Sequence, residues 1–141
     1  MSLTKRQFLG YGAAGLAGLA AIAYGLGAFS GDPGWTSTFM TVDEMKASGG
    51  HVVDIRTPPE WAETGVIEGA QLVTFTDPAR FLAKVGPQIA DGRDLILICR
   101  SGNRSSRAAR ALAGKIPNRI ISIDGGMMRE IASGYRTVPP S

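Results

Sequence analysis

The chain has one cysteine and one histidine in 141 residues, which leaves few routes to covalent or metal chemistry. A single cysteine, Cys99, forms no internal disulfide, so this is not a disulfide-stapled secreted fold. It also excludes redox mechanisms that need two cysteines of one chain. With His51 as the only histidine there is no ligand set for a structural zinc, and no metal site emerges.

Excess charge is scarce as well. The formal net charge is +3, and without Lys5 and Arg6 the basic count falls from 15 to 13 against 12 acidic residues. With no nucleic-acid motif and no aromatics interleaved on a basic face, nucleic acid is not an expected partner. The basic residues are instead local: Arg100, Arg104, Arg107, Arg110, Lys115 and Arg119 follow one another with no acidic residue among them. That asymmetry suits a small anionic substrate near Cys99. Arg107 and Arg110, at helical spacing, read as a solvated helix face, which leaves Arg100, Arg104 and the loop backbone for the anion.

The N-terminus reads as an export signal or membrane anchor over residues 1–30. Lys5 and Arg6 precede an uncharged apolar run, residues 8–29, whose 22 residues would span about 33 Å as a helix, against a hydrocarbon core of about 30 Å. Thirteen of the 22 are glycine or alanine, which brings the run closer to an export signal than to a firm anchor. The segment Thr4-Lys5-Arg6-Gln7-Phe8-Leu9 resembles the bacterial twin-arginine export motif, with Lys5 in place of the first arginine. Cleavage after Ala21-Ile22-Ala23, or retention as an inner-membrane anchor through 8–29, both place the following domain in the periplasm.

Residues 31–40 read as a linker, 41–138 as one domain and 139–141 as a tail; there is no room for a second core. Thr41-Val42-Asp43-Glu44 has the form of a capping box opening a short helix that ends by Gly49-Gly50. Strand patterns cover 51–55, 71–74, 94–98 and 119–123, and helical patterns cover 78–89, 105–114 and 127–133. Strands alternating with helices predict an α/β fold with a central parallel sheet flanked by helices. Ligands of such sheets bind beyond the carboxyl ends of the strands, where Cys99 falls.

Cys99 ends the apolar run Leu95-Ile96-Leu97-Ile98 and is followed by Arg100-Ser101-Gly102-Asn103-Arg104-Ser105 and a helix. A strand, a short glycine-containing loop and a helix N-terminus aim several N–H groups at the sulfur, an arrangement that favours a thiolate. An ordinary thiol, with a pKa of about 8.5, is only a few per cent ionised at neutral pH. Lowering it by about two units takes roughly 2.7 kcal/mol. A helix N-terminus supplies about 0.3–2 kcal/mol of this and the guanidinium groups of Arg100 and Arg104 are expected to supply the rest.

The sequence Cys99 to Ser105 resembles the active-site loop of single-domain rhodaneses, the thiosulfate:cyanide sulfurtransferase family, with its C-x-x-G-x-R-S pattern. Three more segments match in order. Asp54-Ile55-Arg56 through Glu60-Trp61 looks like D-x-R-x-x-x-E-[YW], Gly65-Val66-Ile67-Glu68-Gly69-Ala70 like G-[HV]-I-x-G-A, and Ile123-Asp124-Gly125-Gly126 like the family's double-glycine turn. Two positions depart: Val66 replaces the frequent histidine, and Glu130 stands where a tryptophan is common. The resemblance implies a rhodanese-like fold and a Cys99 persulfide, loaded from a small anionic sulfane-sulfur donor such as thiosulfate. Cyanide or a thiol would be the acceptor, and no cofactor is needed beyond the transient persulfide. Arg100, Ser101, Gly102, Asn103, Arg104 and Ser105 become the substrate-binding loop, with Asp54 and Arg56 behind it.

Other residues carry plainer readings. Asp54 and Arg56 are expected to form a structural pair, His51 to pack at a strand entrance, Trp61 and Met127 to pack near the pocket mouth, and Glu60 and Glu63 to lie on a solvated helix face. Two alternatives to sulfur transfer stay open: a non-catalytic persulfide carrier, and a cysteine-dependent phosphatase or arsenate reductase. Against the latter, four residues separate Cys99 from Arg104 where the phosphatase pattern has five, a tighter cradle suited to one sulfur atom.

Overall fold

The computed structural model describes residues 34–141. The predicted export signal or anchor, residues 1–30, lies outside them. Among the described residues no helix is long and apolar enough to cross a membrane.

Five parallel strands form one sheet: β1 (Trp35–Thr38), β2 (His51–Asp54), β3 (Gln71–Leu72), β4 (Leu95–Ile98) and β5 (Ile120–Ile123), in the spatial order β1-β5-β4-β2-β3. The central strand β4 is apolar at every position and buried on both faces, as a strand covered by helices on either side requires. Its alternation sorts the core. Leu95, Leu97 and, one step on, Cys99 join the cluster of Phe81, Val85, Ala108, Ala109 and Leu112, whereas Ile96 and Ile98 join Val42, Met45, Ile121, Ile123 and Met127.

The first cluster lies under α3 (Pro78–Val85), with the 3-10 turn Gly86–Ile89 after it, and α4 (Asn103–Leu112). The second lies under α1 (Val42–Ser48) and α5 (Gly126–Ala132). Helix α2 (Pro58–Thr64) follows β2, with prolines in its first turn where no backbone donor is needed. The capping box at Thr41 and Glu44 is present in both directions, at 3.2 and 2.8 Å, and Gly49 ends α1 in the left-handed region.

One segment differs from the sequence expectation. Trp35–Thr38, within the predicted linker 31–40, pairs with Ile120–Ile123 as the edge strand β1. The sequence Asp32-Pro33-Gly34 before it reads as linker, and the mostly exposed surface of the strand hides the alternation that marks one. Trp35 packs against the first cluster and lies beneath the Arg110 guanidinium at 5.7 Å, so Arg110 is engaged with the protein as well as facing solvent.

Candidate active site

Parity on β4 turns the Cys99 side chain toward α4, and the residue is 1% exposed. The N–H of Gly102 donates to Sγ at 3.1 Å and that of Ser105 at 3.4 Å. Gly102 is the N-cap of α4, at φ 101°, and has no side chain to satisfy the first amides of the helix. The sulfur takes that place, accepting the amide at the third helical position as a capping oxygen would.

The loop also governs the thiol's proton. As a thiol, Cys99 donates to Ser105 Oγ at 3.5 Å while Ser105 donates to the Gly102 carbonyl at 3.1 Å. As a thiolate it accepts from Ser105, which in turn accepts from Ser122 Oγ at 2.7 Å. Burial pushes the Cys99 thiol up, but the Ser105 hydroxyl and the amides of Ser105, Gly102 and Ser101 together outweigh it, and the net direction is down. The activation foreseen from sequence is thus chiefly hydrogen bonding. Ser122, fully buried on β5, belongs to this network through Ser105 and through Ser106 at 3.2 Å. Sequence reading did not single it out; its signal is the one polar residue in Ile120-Ile121-Ser122-Ile123.

The double-glycine turn supports the loop from below. Gly126 has φ +56°, and a Cβ there would sit 2.5 Å from the Cys99 carbonyl oxygen. Its absence lets α5 begin against the loop backbone, where Met127 N–H bonds the Cys99 carbonyl at 2.8 Å and Met128 N–H that of Arg100 at 3.0 Å.

The two loop arginines separate. Arg100 is exposed and its side chain has no partner among the described residues. Arg104 is not a free cation: it donates to Glu60 at 2.7 and 2.6 Å in a fork geometry. Glu60 is thereby removed from the solvated face assigned to it. Its side chain is 21% exposed and its pKa is lowered to about 2, first by the Arg104 hydrogen bonds and further by Thr57 against an opposing effect of burial. Ser101 and Asn103 are exposed at the loop surface.

Asp54 and Arg56 form the expected structural pair, buried at 2.8 Å. Arg56 also reaches Thr64 Oγ1 at 2.7 Å and the carbonyls of Gly65 and Glu60 at 3.0 and 3.5 Å. The pair therefore fixes α2, and α2 carries the Glu60 that holds Arg104. His51 bonds Gln71 at 2.7 Å, away from the sulfur. Met127 lines the cavity beside the loop, whereas Trp61 faces a separate groove with Pro58, Leu72, Thr74 and Arg80.

The rhodanese-like domain profile matches residues 40–129. The chain belongs to the rhodanese-like domain family. Within that family it is 33% identical over 89 residues to a sulfurtransferase of Allochromatium vinosum, across 63% of this chain and 78% of that protein. Its fold resembles a rhodanese-related protein of Thermoplasma volcanium with a TM-score of 0.54 at 22% identity, over 73% of this chain and 99% of that one. It also resembles a Rhodopseudomonas palustris protein of unknown function described as a possible tyrosine phosphatase, with a TM-score of 0.58 at 22% identity, over 72% and 84% of the two chains. At such identities the structural likeness concerns the fold.

Proposed function

We propose that this protein is a rhodanese-type sulfurtransferase in which Cys99 carries the transferred sulfur. The observation that carries the reading is the sulfur's position as the cap of α4, accepting the Gly102 and Ser105 amides at 3.1 and 3.4 Å. The Cys99 thiolate attacks the sulfane sulfur of thiosulfate, the S–S bond of the donor breaks, and sulfite leaves with the electron pair. Cys99 then bears a persulfide, –S–S⁻, whose charge the loop amides and the Ser105 hydroxyl stabilise. Cyanide attacks the outer sulfur, thiocyanate departs, and the thiolate is regenerated. Arg100, exposed and without a side-chain partner among the described residues, receives the donor's anionic oxygens, and Arg104 acts with Glu60 to hold the helix start. The reading of residues 1–30 as an export leader supports a periplasmic location for this exchange.

Phosphoryl or arsenate chemistry is less well supported. A tetrahedral oxyanion needs a longer loop and an arginine folded over it, while here four residues separate Cys99 from Arg104 and Glu60 occupies that guanidinium. Thiocyanate formation from thiosulfate and cyanide tests the reading. Multiple turnovers are expected. Loading of sulfur without turnover would make the protein a carrier, and release of phosphate from an aryl phosphate with no sulfur loading would contradict both.

A further inference from the structure

Ser122 is the polar side chain of Ile120-Ile121-Ser122-Ile123, and parity on β5 puts it with Ile120, on the side of the sheet where the first cluster holds Leu97 and Cys99. It is fully buried there. Burying a hydroxyl in an apolar layer costs free energy unless it is bonded. Among the described residues its side chain has two partners, Ser105 at 2.7 Å and Ser106 at 3.2 Å, both on α4. Ser105 reaches Cys99 Sγ at 3.5 Å, so the hydroxyls of Ser105, Ser122 and Ser106 run in series from the sulfur. Cys99, Ser105 and Ser122 are shut from solvent and Ser106 is half-buried, which makes Ser106 the solvent end.

Each hydroxyl has one hydrogen to give and can accept two, so the series has two consistent arrangements. With Cys99 as a thiol, S–H donates to Ser105, Ser105 to Ser122, Ser122 to Ser106 and Ser106 to water. With a thiolate every hydrogen points the other way, from Ser106 to Ser122, from Ser122 to Ser105 and from Ser105 to the sulfur. The Gly102 carbonyl, to which Ser105 can also donate at 3.1 Å, keeps the Ser106 amide at 3.1 Å in both. No charged group bonds these hydroxyls among the described residues: Arg104 is held by Glu60, Arg56 by Asp54 and Arg129 by Asp124, and Arg100 is exposed.

We propose that Ser122 and Ser106 are positioning residues for Cys99: in series with Ser105 they turn its hydroxyl toward the ionised sulfur and carry the released proton to solvent. The assignment rests on Cys99 being the reacting group, as read above. Passing one proton along the series breaks the S–H bond and one O–H bond at each serine and forms one new O–H bond at each serine. Water at Ser106 takes the proton, the sulfur keeps the electron pair, and no oxidant or reductant enters.

The test titrates the full chain without any sulfur donor, following thiolate absorbance from about pH 5 to about 9, below the tyrosine range. The sole cysteine makes that signal the signal of Cys99. Ser106→Thr and Ser106→Val have the same shape and differ in the hydroxyl. The threonine variant should match wild type. In the valine variant and in Ser122→Ala the midpoint should rise by about half a unit, since hydrogen bonds in series strengthen one another by roughly 10–30% each. After a jump from about pH 5 to about 9, thiolate should form about tenfold more slowly in both, because the proton then leaves only on local opening, a slower motion. Equal midpoints and equal rates in Ser106→Thr and Ser106→Val, or wild-type behaviour in Ser122→Ala, overturn the assignment and leave sulfur uptake untouched. A chain that titrates as expected yet gains no sulfur from thiosulfate overturns the transfer reading alone.

Discussion

Glu60 and Arg104, 44 positions apart, are joined by parallel hydrogen bonds of 2.7 and 2.6 Å, and this clasp ties α2 to the first turn of α4 beside the Cys99 sulfur. Behind it, Arg56 holds the same helix by its last turn while paired with Asp54 at the end of β2. The first turn of α4 is thus anchored through Glu60 and α2 to the end of β2.

The clasp sets an acid-range signature. The folded carboxyl of Glu60 titrates at about 2 and its unfolded value is 4.5, so its stabilisation is complete above 4.5 and is lost as pH falls toward 2. Glu60→Gln should lower stability by about 0.5–1 kcal/mol at neutral pH, since the pair is partly solvated. Urea unfolding across that range should show the gap between wild type and variant closing toward pH 2; a gap independent of pH would remove the carboxylate from the account.

Ser105 is expected to set the acidity of Cys99. Ser105→Ala deletes a hydroxyl that donates to the thiolate, so alkylation by iodoacetamide should shift to higher pH and sulfur uptake at neutral pH should slow by about tenfold, in line with a lost hydrogen bond to a charged group. An unshifted alkylation profile would mean that the backbone amides alone govern the thiol.

Because the sulfur caps α4, its ionisation is linked to folding. The folded thiol pKa is lowered, so the contribution to stability is present above the unfolded thiol value and disappears as pH falls through the folded one. Cys99→Ala should cost about 0.5–2 kcal/mol, the usual effect of losing an N-cap, and the cost should grow as pH rises. Thermal or urea unfolding of the two proteins between pH 6 and about 9.5 measures it. A cost that shrinks with rising pH would contradict the capping role.

Gly126→Ala places a methyl 2.5 Å from the Cys99 carbonyl at a backbone φ of +56°. Either the loop or α5 has to move. Sulfur transfer should fall by about a hundredfold or more, a loss of the size caused by roughly 1 Å of misplacement. Near-normal activity with intact helix content would show that the loop tolerates the shift.

Much of this was legible in the chain because local signals agreed with the fold. The apolar run before Cys99, the capping box at Thr41 and the turn glycines each correspond to the observed element, and the helical pattern over 78–89 is α3 with its 3-10 extension. Helix α4 begins two residues before the pattern over 105–114 because Gly102 caps it and the sulfur accepts the amides. Strand β3 is confined to Gln71–Leu72, short of the pattern over 71–74. What could not be read are the relationships made only by packing. Nothing in Pro58-Pro59-Glu60 announces that its carboxylate will reach Arg104, and Ser122 acquires its role only when β5 is laid beside α4. Edge strand β1 was hidden for the converse reason: its partner supplies the pairing while its exposed face carries no pattern.

The most direct measurement is the intact mass of the chain after incubation with thiosulfate, alongside Cys99→Ser. Wild type is expected to gain one sulfur atom, lost again on addition of cyanide, and the variant none. Equal uptake by the variant, or no uptake by wild type from thiosulfate and other sulfane donors, would contradict Cys99 as the sulfur carrier.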